Sequence, residues 1–271
     1  MKIPKFKIRA SAAGKIMADG KGSGGLTETQ KKNLKTLQEK EKRTAKQDET
    51  MYGLIEKRDK PPELSSGAKT YCKEWLREIL LKRRKDIRTK YTDKGNLVED
   101  ESIDFISVRD FFEVGHYEKN EQFFENEFTQ GTPDLLTDTE VWDMKNSWDF
   151  DTFPLLDNDV PKSDYYYQLQ VYMGLTERKT AKLIYTLTNT PDHLIEREIK
   201  MAEIYSNKPA DEIRKHFYDT MRFDDIPEKL RYKEFNIEYH EPTLFKLHDK
   251  VILCRKYIDS LVDQLKQEGK I

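Results

Sequence analysis

The stretch "TPDLLTDTEVWDMKNSWDF", residues 132–150, places Asp134 beside a proline and follows it with Asp143 and Lys145. Alternate residues of a strand share a face. On a strand over "EVWDMKNSW", Asp143 and Lys145 therefore point one way with Val141, while Trp142 and Met144 point the other way, into packing. The polar residues 137–140 supply a turn, so 130–148 reads as a hairpin that makes Asp134 and Asp143 neighbours. Two adjacent carboxylates repel unless a cation lies between them, and Mg2+ prefers carboxylate oxygens plus retained waters. The backbone carbonyl of Met144 could complete that ligand set. Lys145 faces the same space, where it could orient or help deprotonate a water and offset charge building on phosphorus. The chemistry indicated is phosphodiester hydrolysis. The plain alternative is a solvated strand face, on which Asp-x-Lys pairs are common.

Two further places bear on that choice. In "DYYYQLQVYM", Gln168 and Tyr172 are four residues apart and share a helical face. Their amide and hydroxyl could grip a phosphate or position Lys145; otherwise this is a core helix with Tyr165, Leu169 and Tyr172 inward. Upstream, Glu99 lies in "KGNLVEDES" beside Val98 and Ile103, on a helix that could aim its carboxylate at the same cleft or leave it on the surface.

The elements that must position these residues follow from periodicity. "LTETQKKNLKTLQEKEKRTAKQDETMYGLIEKR" reads as one long charged helix over 26–58, with Leu26, Leu34, Leu37, Met51, Leu54 and Ile55 too sparse for a coiled coil. "KPPEL" ends it. "SSGAKTYCKEWLREILLKRRKDI" is a second helix, capped by Ser65 or Ser66, with Trp75, Leu76, Ile79 and Leu80 inward. The helix carrying Glu99 follows, and 108–128 suggests a strand or its edge. A helix over 161–175 is capped by Ser163 or Asp164. "TAKLIYTL" and "EREIKMAEIY" read as strands, and "ADEIRKHFYDTM" and the stretch from "EPTLFKL" onward as helices. The expected class is α/β (α+β) around a mixed sheet. Two regions are expected: a basic, mostly helical segment 1–90 and a core 91–271 closed by C-terminal helices.

Charge sharpens that division. The 271 residues carry a net charge of only -2, yet residues 1–90 hold 25 Lys/Arg and 12 Asp/Glu, whereas 91–271 hold 23 and 38. The first part can offer a positive surface to a polyanion, the second a carboxylate-rich site. The glycines near Lys21 lack the GKS or GKT of a phosphate loop. Cys72 and Cys254 have no finger spacing and read as free thiols in a reducing cytoplasm. No run of apolar residues is long enough to span a bilayer.

Taken together, "KGNLVE", "GTPD", "DMK" and "QLQVY" resemble the PD-(D/E)xK nuclease superfamily, in its phage recombination exonuclease (YqaJ-like) and RecB-nuclease-like branch. The likeness covers about residues 92–190. It implies a restriction-endonuclease-like core, a central mixed sheet flanked by helices. It makes Asp134, Asp143 and Glu99 metal-binding, with the Met144 carbonyl, and Lys145, Gln168 and Tyr172 their catalytic companions. Asp143 stands where many relatives have Glu, so its shorter arm needs the strand nearer the metal. "IRASAAGKI" resembles the segment of phage exonucleases that handles DNA phosphates, which gives Arg9, Ser11 and Lys15 that role; Arg83, Arg84, Lys85 and Arg88 add a basic cluster. The implied cofactor is Mg2+, or Mn2+ in its place. An iron-sulfur cluster would need four cysteines, and the chain has two. The implied activity is 5'–3' digestion of duplex DNA in a bacterial cytoplasm, with a single-strand annealing protein and a trimeric ring as expected partners. The alternatives are an endonuclease of restriction or branched-DNA type, and a DNA-binding or assembly protein with a decayed nuclease core.

Overall fold

The computed structural model of the chain describes residues 3–20, 25–84, 89–110 and 115–271. In chain order the elements are β1 (Ile8–Arg9), α1 (Ala13–Met17), α2 (Glu28–Gln38), α3 (Ala45–Asp59), α4 (Ser66–Leu81), α5 (Lys90–Arg109), β2 (Phe124–Glu125), β3 (Thr129–Gly131), β4 (Leu135–Leu136), β5 (Glu140–Asn146), α6 (Ser163–Thr176), β6 (Thr180–Thr186), α7 (Asp192–Tyr205), α8 (Ala210–Met221), β7 (Tyr232–Glu238) and α9 (Glu241–Gln267). The class is mixed α/β, as expected. The chain packs as two compact units. One takes Ile8–Ser11 and Lys85–Leu244; the other takes Met1–Lys7, Ala12–Arg84 and Phe245–Ile271.

The first unit is built on a four-stranded sheet in the order β4-β5-β6-β7. β5 and β6 run parallel, joined through α6, as a parallel pair requires a crossover. β4 and β7 are antiparallel to their neighbours. β5 alternates as its sequence demands. Trp142 and Met144 join Ile103, Ile106, Tyr117, Leu135 and Ile184 in one buried cluster, which fixes α5 against that face. Asp143 points to the opposite face, where α6 lies. A one-residue slip of register would reverse this, burying the carboxylate side in the apolar cluster. A smaller sheet, β1-β3-β2, pairs Ile8 with Thr129 and Arg9 with Gln130.

Several expected elements differ. "EREIKMAEIY" is not a strand but the body of α7: Leu194, Ile195 and Ile199 recur at helical spacing and bury against Trp148, Ile213 and Met221. The alternation of polar and apolar residues there is incidental to the wider helical face. β7 was hidden in a charged stretch, "YKEFNIE", of which only Phe235 and Ile237 are buried strongly enough to mark a core face. Val108 belongs to α5, and 111–114 lie outside the described residues. Neither Ser163 nor Asp164 caps α6; the cap position is Lys162, without a side-chain bond.

In the second unit, the single helix expected over 26–58 is two, α2 and α3. Thr27 and Thr44 each open a capping box with Gln30 and Gln47, an arrangement in which two otherwise unpaired backbone N–H groups are satisfied. Arg43 secures the break, bonding Asp48 at 2.7 Å and the carbonyls of Leu37 and Lys40 at 3.0 Å each. Leu34 and Leu37 then face Met51 and Leu54, so the sparse apolar residues are enough for a helical hairpin. α4 is capped by Ser65, which accepts from the Ala68 N–H at 3.2 Å. Its fully buried line is Ala68, Cys72 and Leu76, with Trp75 only half-buried. Cys72 and Cys254 are buried and free. Among the described residues, no helix is long and apolar enough to cross a membrane.

Candidate active site

The β4–β5 hairpin creates the site. Its register pairs Leu135 with Trp142, and one further step places Asp134 opposite Asp143. β4 is too short to continue the backbone ladder there. Instead, the Asp134 side chain takes over, its Oδ2 accepting from the Met144 N–H at 2.6 Å. Asp134 is thereby tied to the strand that carries Asp143.

Asp143 is fully buried, at 1% exposure. Its Oδ1 accepts from Gln168 Nε2 at 2.8 Å, and the same amide donates to the Tyr172 hydroxyl at 3.2 Å. Its Oδ2 has no hydrogen-bond partner and forms an ion pair with Lys145 Nζ. Lys145 also lies 3.4 Å from the Met144 carbonyl, so that carbonyl and the ammonium share one space. The four-residue spacing of Gln168 and Tyr172 on α6 is what brings both to the carboxylate face of β5.

Two neighbouring carboxylates and an ammonium set the electrostatics of the hairpin. Asp134 is deeply enclosed, though part of its side chain still meets solvent. Burial, reinforced by Asp143, pushes its pKa up to about 8. Burial alone would lower the Lys145 ammonium, but Asp143 and Asp134 beside it hold it above its ordinary value. Tyr172 is pushed up by burial and by Asp143, so its hydroxyl stays protonated. Two carboxylates, one with a buried oxygen held only by the Lys145 ammonium, and an adjacent carbonyl are the donors a hard divalent cation takes. The residues therefore fit Mg2+.

Glu99 is placed differently from the two aspartates. It sits on α5, half-buried, with its carboxylate 3.2 Å from Lys119, which also pairs with Asp100 at 3.2 Å. Among the described residues, no group of three or more His, Cys, Asp or Glu side chains converges to hold a metal. Glu99 is near enough for its charge to act on Asp134 and Tyr172, but as placed it is not a third ligand.

Among the expected DNA-contacting residues, Arg9 pairs in register beside Gln130 on β3, and Ser11 is exposed. Lys15, Arg83 and Arg84 belong to the other unit; Lys15 lies 5.3 Å from the Tyr71 ring, and both arginines are exposed after α4 ends at Lys82 in a left-handed turn, φ 51°. Lys85 and Arg88 lie outside the described residues.

Two residues near the site escaped the sequence reading. A side chain on Gly131 would meet Tyr172 Cε1 at 2.8 Å and Ala10 Cβ at 3.0 Å. The glycine of "GTPD" therefore lets β1 and the Tyr172 ring close on β3, and its place in the quoted stretch was the available signal. Lys119 had no such signal: it is brought in by an isolated bridge to Leu135, and by Asn120, whose N–H and side-chain amide bond the carbonyls of Asp134 and Pro133 at 2.8 Å each.

Comparison with solved structures adds a fold. The chain is similar to a phage-related exonuclease from Haemophilus somnus 129PT, with a TM-score of 0.67 and 22% identity over 97% of each chain. It is also similar to an alkaline exonuclease from Laribacter hongkongensis, with a TM-score of 0.55 and 13% identity over 97% of this chain and 93% of that one. The latter enzyme in complex with dAMP gives a TM-score of 0.52 and 14% identity over the same shares. The chain shares its fold with these exonucleases. No family model and no curated protein matches the sequence. The likeness spans nearly the whole chain, including the helices on either side of the sheet unit in sequence.

Proposed function

We propose that the protein is a Mg2+-dependent deoxyribonuclease of the PD-(D/E)xK type, a phage-type 5'–3' exonuclease acting on double-stranded DNA. The observation that carries this reading is the meeting of Asp134, Asp143 and Lys145 on one face of the β4–β5 hairpin, with Gln168 bonded to Asp143. The fold shared with two named exonucleases, one of them solved with a nucleoside monophosphate, supports it further.

Asp134, Asp143 and the Met144 carbonyl would hold the cation, with Mn2+ able to replace Mg2+. When bound, it supplies Lewis acidity at the scissile phosphate and makes a water easier to ionise. The protein's own groups do the rest. Gln168 fixes the rotation of Asp143 through Oδ1, leaving Oδ2 for the site. Lys145 Nζ, held as an ammonium, orients the attacking water, favours its hydroxide form by its charge, and offsets charge as the phosphorus becomes five-coordinate. Tyr172 keeps the Gln168 amide turned toward Asp143. Glu99 joins as a further ligand only by exchanging its ion pair with Lys119. Arg9, Ser11, Lys15 and the basic residues after α4, Arg83 to Arg88, grip the DNA backbone. An annealing protein and a trimeric ring remain the expected partners of such an enzyme, in the cytoplasm of a phage host.

The test is one digestion of end-labelled linear DNA and closed supercoiled DNA, each with Mg2+ or EDTA. The reading predicts consumption of the linear DNA alone, with Mg2+ alone. Cleavage of the supercoiled DNA would make the enzyme an endonuclease. Binding without hydrolysis in Mg2+ would point to a decayed core.

A further inference from the structure

A lysine carries its charge on a flexible four-carbon stem, so its use at a reacting phosphate depends on what holds the ammonium in place. Asp143 is one such partner. The Met144 carbonyl, at 3.4 Å, is a second, and a third is aromatic: Lys145 Nζ lies 5.1 Å from the centroid of the Tyr165 ring. Tyr165 stands on α6, three residues before Gln168, so both project from neighbouring positions of that helix. The ring is braced. It meets Tyr185 edge-on at 6.4 Å, and Tyr185 meets Phe235 edge-on at 6.1 Å. Tyr185 is buried on β6 and lies directly beside Lys145 in the parallel register. Lys162 also lies 5.6 Å from the Tyr165 centroid, but it is exposed. A cation–π contact is stronger when the cation is shielded from water, and Lys145, with 22% of its side chain exposed, is the more shielded of the two.

We infer that Tyr165, braced by Tyr185, is a positioning residue for Lys145: its ring face holds the ammonium in the site when Asp143 is engaged by a cation. This rests on the hydrolytic reading of the site. The role belongs to the ring, so the hydroxyl is dispensable. Y165F should digest linear DNA like the wild type. Y165L should lose kcat by on the order of tenfold, with the KM for DNA and the melting temperature unchanged. Y165M fills the space without an aromatic face and carries the same expectation if Y165L is unstable. A second readout needs neither metal nor turnover: in EDTA, acetic anhydride should acylate Lys145 faster in Y165L than in Y165F or wild type, measured by peptide mass spectrometry. The variant D143A separates the two levels. If D143A is inactive while the folded Tyr165 variants without a ring keep wild-type kcat and acylation, the inference about Tyr165 fails alone. It fails equally if Y165F is as slow as Y165L, or if loss of the ring raises KM and spares kcat. If D143A is fully active, the hydrolytic reading fails and takes this inference with it.

Discussion

Gln168 Nε2 donates to Asp143 Oδ1 at 2.8 Å and to the Tyr172 hydroxyl at 3.2 Å. One amide thus sets the rotation of a fully buried carboxylate and is itself held by a tyrosine. Groups that orient a metal ligand commonly contribute 10- to 100-fold to activity or metal affinity. We expect Q168A to lower the digestion rate by roughly that range and to raise the Mg2+ concentration needed for half-maximal rate. Y172F should have a smaller effect, because Gln168 retains its bond to Asp143. Mg2+ titrations of the rate for the three proteins check this.

Gly131 has no room for a side chain. In G131A the new methyl would lie 2.8 Å from Tyr172 Cε1 and 3.0 Å from the Ala10 methyl. Overpacking of this kind costs about 1–3 kcal/mol. Since the displaced ring is the one bonded to Gln168, G131A should lower the melting temperature and also slow digestion more than its stability loss accounts for. Equal stability and rate would show that β1 and β3 can part without disturbing Tyr172.

The pH dependence of stability should reveal the strained carboxylate. Burial and Asp143 raise Asp134 to about 8 in the folded protein. A group raised on folding contributes stability that is full below its unfolded value, near 4, and is lost as pH rises through its folded value. In EDTA, the melting temperature of the wild type should therefore fall relative to D134N between about pH 4 and 8 and run level with it above that. On the proposed reading Mg2+ would bind the ionised form, so it should stabilise the wild type more at pH 9 than at pH 6 and leave D134N little changed. Scanning calorimetry across that range checks both signs.

Salt tests the basic end of α4. Each phosphate neutralised adds about 0.9 to the slope of log affinity against log salt for duplex DNA. The double variant R83A/R84A should weaken binding, measured in EDTA, and reduce that slope by about 2. Unchanged binding would remove both residues from the DNA-contacting surface.

The hairpin was readable in the sequence because strand alternation has a period of two and Trp142 and Met144 mark the core side unambiguously. The helical partners Gln168 and Tyr172 were readable for the same kind of reason, a spacing of four. What was not readable is instructive. "EREIKMAEIY" alternates locally as a strand does; only the packing of α7 on Trp148 and α8 shows which period governs. The α2–α3 break was written in two Thr-x-x-Gln boxes but outweighed by the continuous charged pattern. Glu99 was placed on the right helix, yet its partner Lys119 comes from a segment that reaches the site through backbone bonds to Pro133 and Asp134. Such bonds leave no periodic trace in a sequence. Tyr165 was visible as an inward aromatic, whereas its contact with Lys145 needed the parallel register of β5 and β6.

The most direct test of the central claim is the rate at which wild type and D143A digest end-labelled linear DNA in Mg2+, with both proteins shown to be equally folded. The Asp143 side chain touches both Gln168 and Lys145 and lies opposite Asp134. The account predicts steady digestion by the wild type and none above background by D143A. Digestion by D143A at the wild-type rate would contradict it.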